Sequence, residues 1–172
     1  ECDHDPLTGI PIGPYLGGSR TNECWPSFGG SIGNGLITNA MSRGLLILSE
    51  YTESADSGGR GLTTNTSNFW AVDTAKTISV YAKEKTGSAK RYVIVRVSNT
   101  PLSGVIFDVG TGAIPVLSSG WVASMQNIGG GIYRCVATYK RPTADGAAVM
   151  LVGMTANLSV SAATYQGDGV SG

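Results

Sequence analysis

The chain has 172 residues, a length that suits one domain with a sizeable core. Only 14% of the residues are charged and the formal net charge is +0, so the protein has no basic field to attract DNA, RNA or an anionic membrane. No apolar run approaches the roughly 18 residues that a membrane-spanning helix needs. We therefore expect neither nucleic-acid binding nor membrane insertion.

The composition favours strands over helices. Glycine accounts for 25 residues and aromatic residues for only 8%, a balance typical of many short strands joined by tight turns. No segment of useful length repeats its apolar residues at the period of a helix. The sequence predicts an all-β protein, a two-sheet antiparallel sandwich of jelly-roll or Greek-key type.

Residues 1–35 are rich in proline and glycine and have little periodicity. We expect an irregular N-terminal arm or linker here, ordered against the sheets or against another subunit. The β-sandwich domain is predicted over residues 36–172. The sequence starts at Glu1 without an initiator methionine, and we expect it to be a piece of a longer protein.

The first half of the sandwich domain contains one clear strand pattern. A turn is predicted at Ser57-Gly58-Gly59, followed by a polar, edge-like strand over 62–66. Residues 76–83 then alternate apolar and polar side chains, with Ile78, Val80 and Ala82 on one face. Residues 92–97 follow a turn and are expected to pair with 76–83 as an antiparallel hairpin.

The stretch 105–139 provides most of the predicted core. Val105, Phe107 and Val109 alternate with Ile106 and Asp108, the period of a half-buried strand. A tight turn and two further strands follow. Residues 147–154 are apolar on both faces and should form a central strand, and the chain is expected to end in a loop from Tyr165 onward.

Three cysteines occur, Cys2, Cys24 and Cys135, with no CxxC spacing. An odd number argues against a full disulfide framework and the spacing argues against a zinc cluster. Free thiols in a protein made in a reducing cytoplasm are the favoured interpretation, with Cys135 a small core residue. A Cys2–Cys24 bridge is the alternative.

Five stretches resemble motifs that recur, in the same order, in bacteriophage tail-fibre and other virion proteins. They are Asp3-His4-Asp5-Pro6-Leu7-Thr8-Gly9, Ser79-Val80-Tyr81-Ala82-Lys83, Phe107-Asp108-Val109-Gly110-Thr111-Gly112, Ile132-Tyr133-Arg134-Cys135 and Tyr165-Gln166-Gly167-Asp168-Gly169. The sequence departs from that pattern at Gly130-Gly131-Ile132, where the family often has Asn-Gly-Trp. The last strand that usually follows the Gly-Asp-Gly motif also has no counterpart before Gly172.

The resemblance implies a jelly roll like those of carbohydrate-binding modules and concanavalin-like lectins, in fibres, spikes or baseplate-associated proteins. We therefore expect a structural module on the virion surface, made in the bacterial cytoplasm, with a role in attachment to the host. The resemblance also implies a homotrimer that contacts other virion proteins. The alternative is a carbohydrate-binding, lectin-like module that recognises a host surface glycan.

Sugar binding usually places an aromatic ring against the apolar face of a pyranose. Trp70, Trp121 and Tyr165 lie near predicted turns and are the candidate carbohydrate-binding residues. Each of them has a second interpretation, as a core or subunit-interface residue. Asp3, Asp5 and Asp168 are not arranged as a calcium loop and are expected to stabilise turns; no metal or cofactor is predicted.

Catalysis is not expected. Glycoside hydrolysis needs two carboxyl groups about 5–9.5 Å apart across a cleft, and the pattern places no such pair. Glu50, Glu53, Asp56 and Asp108 are instead predicted to be solvated loop or strand-end carboxylates. A Ser-His-Asp triad would depend on His4, in the irregular arm. A tailspike depolymerase is a third and weaker alternative.

Overall fold

A computed structural model of the chain describes residues 2–4, 11–14, 31–32, 35–43, 46–63, 73–87, 89–97, 102–141, 150–161 and 164–170. These residues form strands joined by turns, without a helix among them. The strands are β1 (Cys2–His4), β2 (Pro11–Pro14), β3 (Ser31–Ile32), β4 (Gly35–Arg43), β5 (Leu46–Glu53), β6 (Ser57–Thr63), β7 (Ala75–Lys83), β8 (Tyr92–Val97), β9 (Ser103–Asp108), β10 (Ala113–Leu117), β11 (Trp121–Gly129), β12 (Ile132–Lys140), β13 (Met150–Thr155) and β14 (Thr164–Gln166).

Two antiparallel sheets form the body of the protein. The larger has the order β10-β9-β8-β13-β6-β14, and β3 also pairs with β6. The smaller has the order β11-β12-β7. Two further ladders, β1 with β2 and β4 with β5, each have two strands. The all-β prediction is confirmed.

The two main sheets pack face to face on a single core. The larger sheet contributes alternate residues of β8 and β9, among them Val95 and Phe107. The smaller sheet contributes alternate residues of β7 and β12, such as Ile78 and Cys135. Because inward side chains of both sheets meet in one cluster, the described part of the chain is a β-sandwich; its jelly-roll connectivity stays a prediction.

The strand that was expected to be half-buried is buried on both faces. Val105 and Phe107 of β9 point into the core, and Ile106 points the other way yet is also fully buried. Its partner in β8 is Ile94, which is buried as well. The outer face of the larger sheet is therefore covered at this pair, whereas the alternation in β9 had predicted solvent there.

The predicted hairpin between 76–83 and 92–97 is wrong, although both strands exist. β7 pairs with β12, with Cys135 opposite Val80, and β8 pairs with β9 and β13. The connection 84–91 therefore crosses from one sheet to the other. Alternation shows that a segment is a half-buried strand, but it contains no information about which strand lies beside it.

Two turn predictions also fail. Ser57-Gly58-Gly59 belongs to β6 and pairs with β14, so β6 is an interior strand rather than an edge. Tyr165 and Gln166 lie in β14, and the loop begins only after them. The strand expected over 147–154 is confirmed as central for 150–154, where β13 lies between β6 and β8; residues 147–149 lie outside the described ranges.

Part of the N-terminal segment is more regular than expected. Within residues 1–35 the structure describes β1, β2 and β3, and β3 extends the larger sheet through Ser31 opposite Thr63. The other residues of this segment up to 34 lie outside the described ranges. Among the residues described, no helix is long and apolar enough to cross a bilayer.

Candidate functional site

One end of the sandwich carries a set of charged side chains that are bonded to one another, and we call it the charged end. It comprises the loop residues 54–56, 84–87, 89–91, 109–112 and 167–170 with the strand ends beside them. Lys85 connects two of these loops to β5, because its Nζ donates to the Val170 carbonyl at 2.9 Å and to Thr52 Oγ1 at 3.3 Å. The Gly167 N–H donates to the Asp56 carbonyl at 3.1 Å.

A buried ion pair lies at the centre of the charged end. Arg91 donates two hydrogen bonds to the carboxylate of Glu53, from Nη2 to Oε1 at 2.5 Å and from Nε to Oε2 at 3.1 Å. The Glu53 residue is 1% exposed. Two parallel N–H···O bonds are the strongest geometry that an arginine and a carboxylate can adopt, so this pair fixes the end of β5 to the loop before β8.

The same pair holds the C-terminal loop. The Asp168 N–H donates to Glu53 Oε1 at 2.9 Å, and Arg91 Nη2 lies 3.3 Å from Asp168 Oδ2. Asp168 then closes a turn of its own, since its Oδ1 accepts the Val170 N–H at 2.8 Å. The turn role predicted for Asp168 agrees with these contacts, and its ion-pair role was not visible in the sequence.

Asp108 organises the turn between β9 and β10. Its Oδ1 accepts the backbone N–H groups of Gly110 at 3.0 Å and Thr111 at 3.3 Å, and its Oδ2 forms an ion pair with Lys90 Nζ at 2.7 Å. Partial burial alone would raise the pKa of Asp108, but the bonds from Lys90, Thr111 and Gly110 outweigh it and hold the pKa below its usual range. Asp108 is therefore a stable carboxylate at neutral pH.

Two glycines of this turn approach side chains of the smaller sheet. A Cβ on Gly110 would lie too close to the Glu84 carboxylate, and one on Gly112 would lie 2.8 Å from Tyr133 Cε1. Gly112 also has a φ of 75°, a left-handed conformation that favours glycine. The turn is thus fitted against the ends of β7 and β12 across the sandwich.

Of the three candidate sugar-binding aromatic side chains, the structure describes only that of Trp121. Trp121 is 5% exposed, stacks on Tyr139 with ring centroids 4.8 Å apart, and donates from Nε1 to Ser103 Oγ at 3.1 Å. It therefore fills the core, the second of the two roles left open for it. Tyr165 lies in β14, but its side chain is outside the described residues, as is Trp70 entirely.

Two of the carboxylates weighed for catalysis are committed to other bonds. Glu53 and Asp108 are ion-paired as above, and Asp56 is exposed in its loop. A general acid needs a pKa raised towards neutrality, whereas the pKa of Asp108 is lowered. Glu50 and His4 lie in β5 and β1, and their side chains are outside the described residues.

Metal binding and thiol chemistry find little support. Within the described ranges, no group of three or more His, Cys, Asp or Glu residues is placed to hold a metal ion. Asp3 lies in β1 with an undescribed side chain, and Asp5 lies outside the described residues. Cys135 is a free, buried thiol as expected, and burial raises its pKa to about 12.

Comparison of the chain with protein-family models gave no match, and comparisons with curated proteins and with solved structures gave none either. The fold of the described residues is an antiparallel β-sandwich. Its best-built local feature is a set of loops bonded to one another at the charged end. The ion pairs there were missed in the sequence because they join residues 38 and 77 positions apart. The weak signal was an Asp within two residues of a Gly in both the 107–112 and the 165–169 stretch.

Proposed function

We propose that this protein is a non-enzymatic structural module of a bacteriophage virion surface, part of a fibre, a spike or a head or tail decoration. The proposal starts from the five motif stretches that resemble those of tail-fibre and other virion proteins. One structural observation supports it: the ends of four of these stretches lie at or beside the charged end. They are 79–83, 107–112, 132–135 and 165–169.

The contacts of these stretches give three of their residues a structural role. Asp108 caps its own turn, Gly112 lets that turn approach Tyr133, and Asp168 anchors the C-terminal loop to Glu53. These three motif residues thus serve the loop framework of the sandwich. Residues that build a rigid scaffold suit a module whose work is mechanical.

The alternative is a lectin-like module that binds a host surface glycan. Its candidate Trp121 is taken up by the core, which leaves Trp70 and Tyr165 to carry that proposal. A structural module can also take part in host attachment by positioning a neighbouring receptor-binding domain. The two proposals therefore differ in whether this chain itself has sugar affinity.

Immunogold labelling tests the proposed location. An antibody raised against the purified chain should decorate one defined part of the particle when virions of the encoding phage are examined by electron microscopy. Labelling of the soluble fraction, with no antibody bound to the virions, would overturn the proposal. The labelled position would also separate fibre, spike and decoration.

Glycan binding and hydrolysis test the role. On an array of bacterial surface glycans the chain should give no signal above that of a denatured sample, and incubation with host polysaccharide should release no reducing ends. Binding that is lost in a Trp70→Ala or Tyr165→Ala variant, but kept in Leu158→Ala as an exposed control, would establish the lectin instead. Release of reducing ends would establish a depolymerase.

A further inference from the structure

Among the described strands, β11 lies at an edge of the smaller sheet, with one side unpaired. It pairs with β12 along its whole length, from Trp121 opposite Tyr139 to Gly129 opposite Ile132, and no other described strand pairs with it. Its nine residues span about 30 Å at about 3.4 Å per residue. The backbone groups along its other side therefore form a row that a further strand can join.

Monomeric proteins usually protect such edges with charges, prolines or bulges. The other edge of the same sheet, β7, carries Lys76 and Lys83, and the neighbouring edge strand β10 has Pro115 within a register irregularity. β11 has neither charge nor proline, and its one register irregularity lies near its end, between Asn127 and Gly129. Residues 109–133, which include both β10 and β11, contain no Asp, Glu, Lys or Arg at all.

The core is also incomplete along this flank. Ala123 and Met125 of β11 and Ile114 of β10 pack against the core but stay partly buried. Beside them, Val122 is 71% exposed and Leu117 52% exposed. A strand laid against β11 would cover the inward row, and the apolar contact would add to the backbone bonds.

We propose that β11 of a second copy of this chain pairs antiparallel with β11, which joins the two three-stranded sheets into one of six strands. Such a pairing is isologous, with each copy offering the same surface. The second copy matches the edge in length, in its lack of charge and in its alternation, since apolar Ala123 and Met125 stay inward in both copies. A formal net charge of +0 means that no long-range repulsion opposes their approach.

The pairing stops at two copies, because the antiparallel contact uses the unpaired side of β11 in each copy. It therefore assigns a dimer to this contact in place of the homotrimer that the sequence resemblance implies. The inference does not depend on a virion role, since it follows from the edge, the exposure and the charge pattern. If light scattering shows no dimer, the proposed non-enzymatic function is unaffected. If immunogold labelling finds the protein in the soluble fraction and not on the virion, the proposed dimer is unaffected.

The test is the mass of the assembly in light scattering, with a variant that charges the middle of β11. Ser124 and Gln126 are exposed on its outer face, so Ser124→Lys/Gln126→Lys should fold normally as a monomer. In a pairing centred near Met125 the new lysines of the two copies lie opposite each other, and like charges in that position destabilise a strand pair. The dissociation constant should rise at least about tenfold.

A control with the same added charge lies on the far edge of the same sheet face. Thr77→Lys/Ser79→Lys changes exposed residues of β7 and should keep the dimer mass of twice 17.7 kDa. Circular dichroism melts confirm that both variants are folded. A folded wild-type monomer at every concentration, a trimer, or an oligomer that the β11 lysines do not weaken more than the β7 lysines would overturn the proposal.

Discussion

Arg91 and Glu53 lie 38 residues apart in the sequence and form a bidentate ion pair, with Nη2 2.5 Å from Oε1. The Glu53 side chain is fully buried and that of Arg91 is 11% exposed. A carboxylate removed from water is stable only when its charge is matched and its oxygens are bonded. Arg91 and the Asp168 N–H meet that need, and so three distant segments depend on one carboxylate.

Glu53→Gln should therefore destabilise the fold by about 3 kcal/mol, because it leaves the largely buried Arg91 guanidinium without its main counter-charge. The free energy of unfolding in urea measures the loss. Asp168→Asn is the matched control, since the Asp168 carboxylate is 39% exposed and its contact with Arg91 is 3.3 Å. That variant should cost no more than about 1 kcal/mol, and equal losses in both would contradict the central role of Glu53.

The sequence predicts strands better than it predicts their partners. The alternation of Ile78, Val80 and Ala82 located β7 almost to the residue, because a half-buried strand must repeat every second side chain. Its pairing with β12 depends on contacts between residues 49 to 65 positions apart, from Lys83 with Ile132 to Ala75 with Lys140, and no local pattern encodes them. The same limit hid the Glu53–Arg91 pair, whose members carry charges that in most proteins mark a solvated surface.

Trp121 should behave as a core residue in mutagenesis. Trp121→Ala removes the ring that stacks on Tyr139 and should destabilise the protein by about 3–5 kcal/mol. Ser103→Ala, which leaves the indole N–H without its acceptor, should cost about 1–2 kcal/mol. Chemical denaturation of both variants beside Leu158→Ala, an exposed site expected within about 0.5 kcal/mol of the wild type, provides the comparison. A Trp121→Ala protein of wild-type stability would show that the stack contributes nothing.

Asp108 should make part of the stability depend on acid. Its pKa is lowered from the ordinary value of 3.8, so its contribution is fully present above about pH 4 and is lost as the pH falls through the lower folded pKa. Asp108→Asn should cost about 1–2 kcal/mol at pH 7. The difference between variant and wild type should shrink steadily below pH 4. Unfolding free energies across this range test the sign, and a difference that grows in acid would contradict it.

Cys135 should be unreactive in the folded protein. A pKa of about 12 against an ordinary 9.0 lowers the thiolate fraction at pH 8 about a thousandfold, and only the thiolate reacts with disulfide reagents. The measurement uses Cys2→Ser/Cys24→Ser so that one thiol remains, with the same protein in urea as the reactive control. Prompt labelling of the native protein would show that Cys135 is accessible and not part of a closed core.

Substitutions at Gly112 test whether the 109–112 turn packs closely against Tyr133 or is only a flexible connection. Gly87 and Gly112 have φ values of 78° and 75°, but a Cβ on Gly87 meets nothing within 4 Å while one on Gly112 meets the Tyr133 ring at 2.8 Å. Gly87→Ala should therefore cost about 1 kcal/mol, the strain of a left-handed alanine. Gly112→Ala should cost about 2–3 kcal/mol, because overpacking is added to the same strain.

The excess at Gly112 can be assigned to Tyr133 by a double-mutant cycle. In a Tyr133→Ala background, Gly112→Ala should cost no more than Gly87→Ala, since the contact that opposes the new methyl group is gone. Equal losses for the two glycines in the wild-type background would mean that the 109–112 turn yields freely. A persistent excess without the tyrosine ring would mean that other atoms confine it, and the fit between the two motif stretches would lose its support.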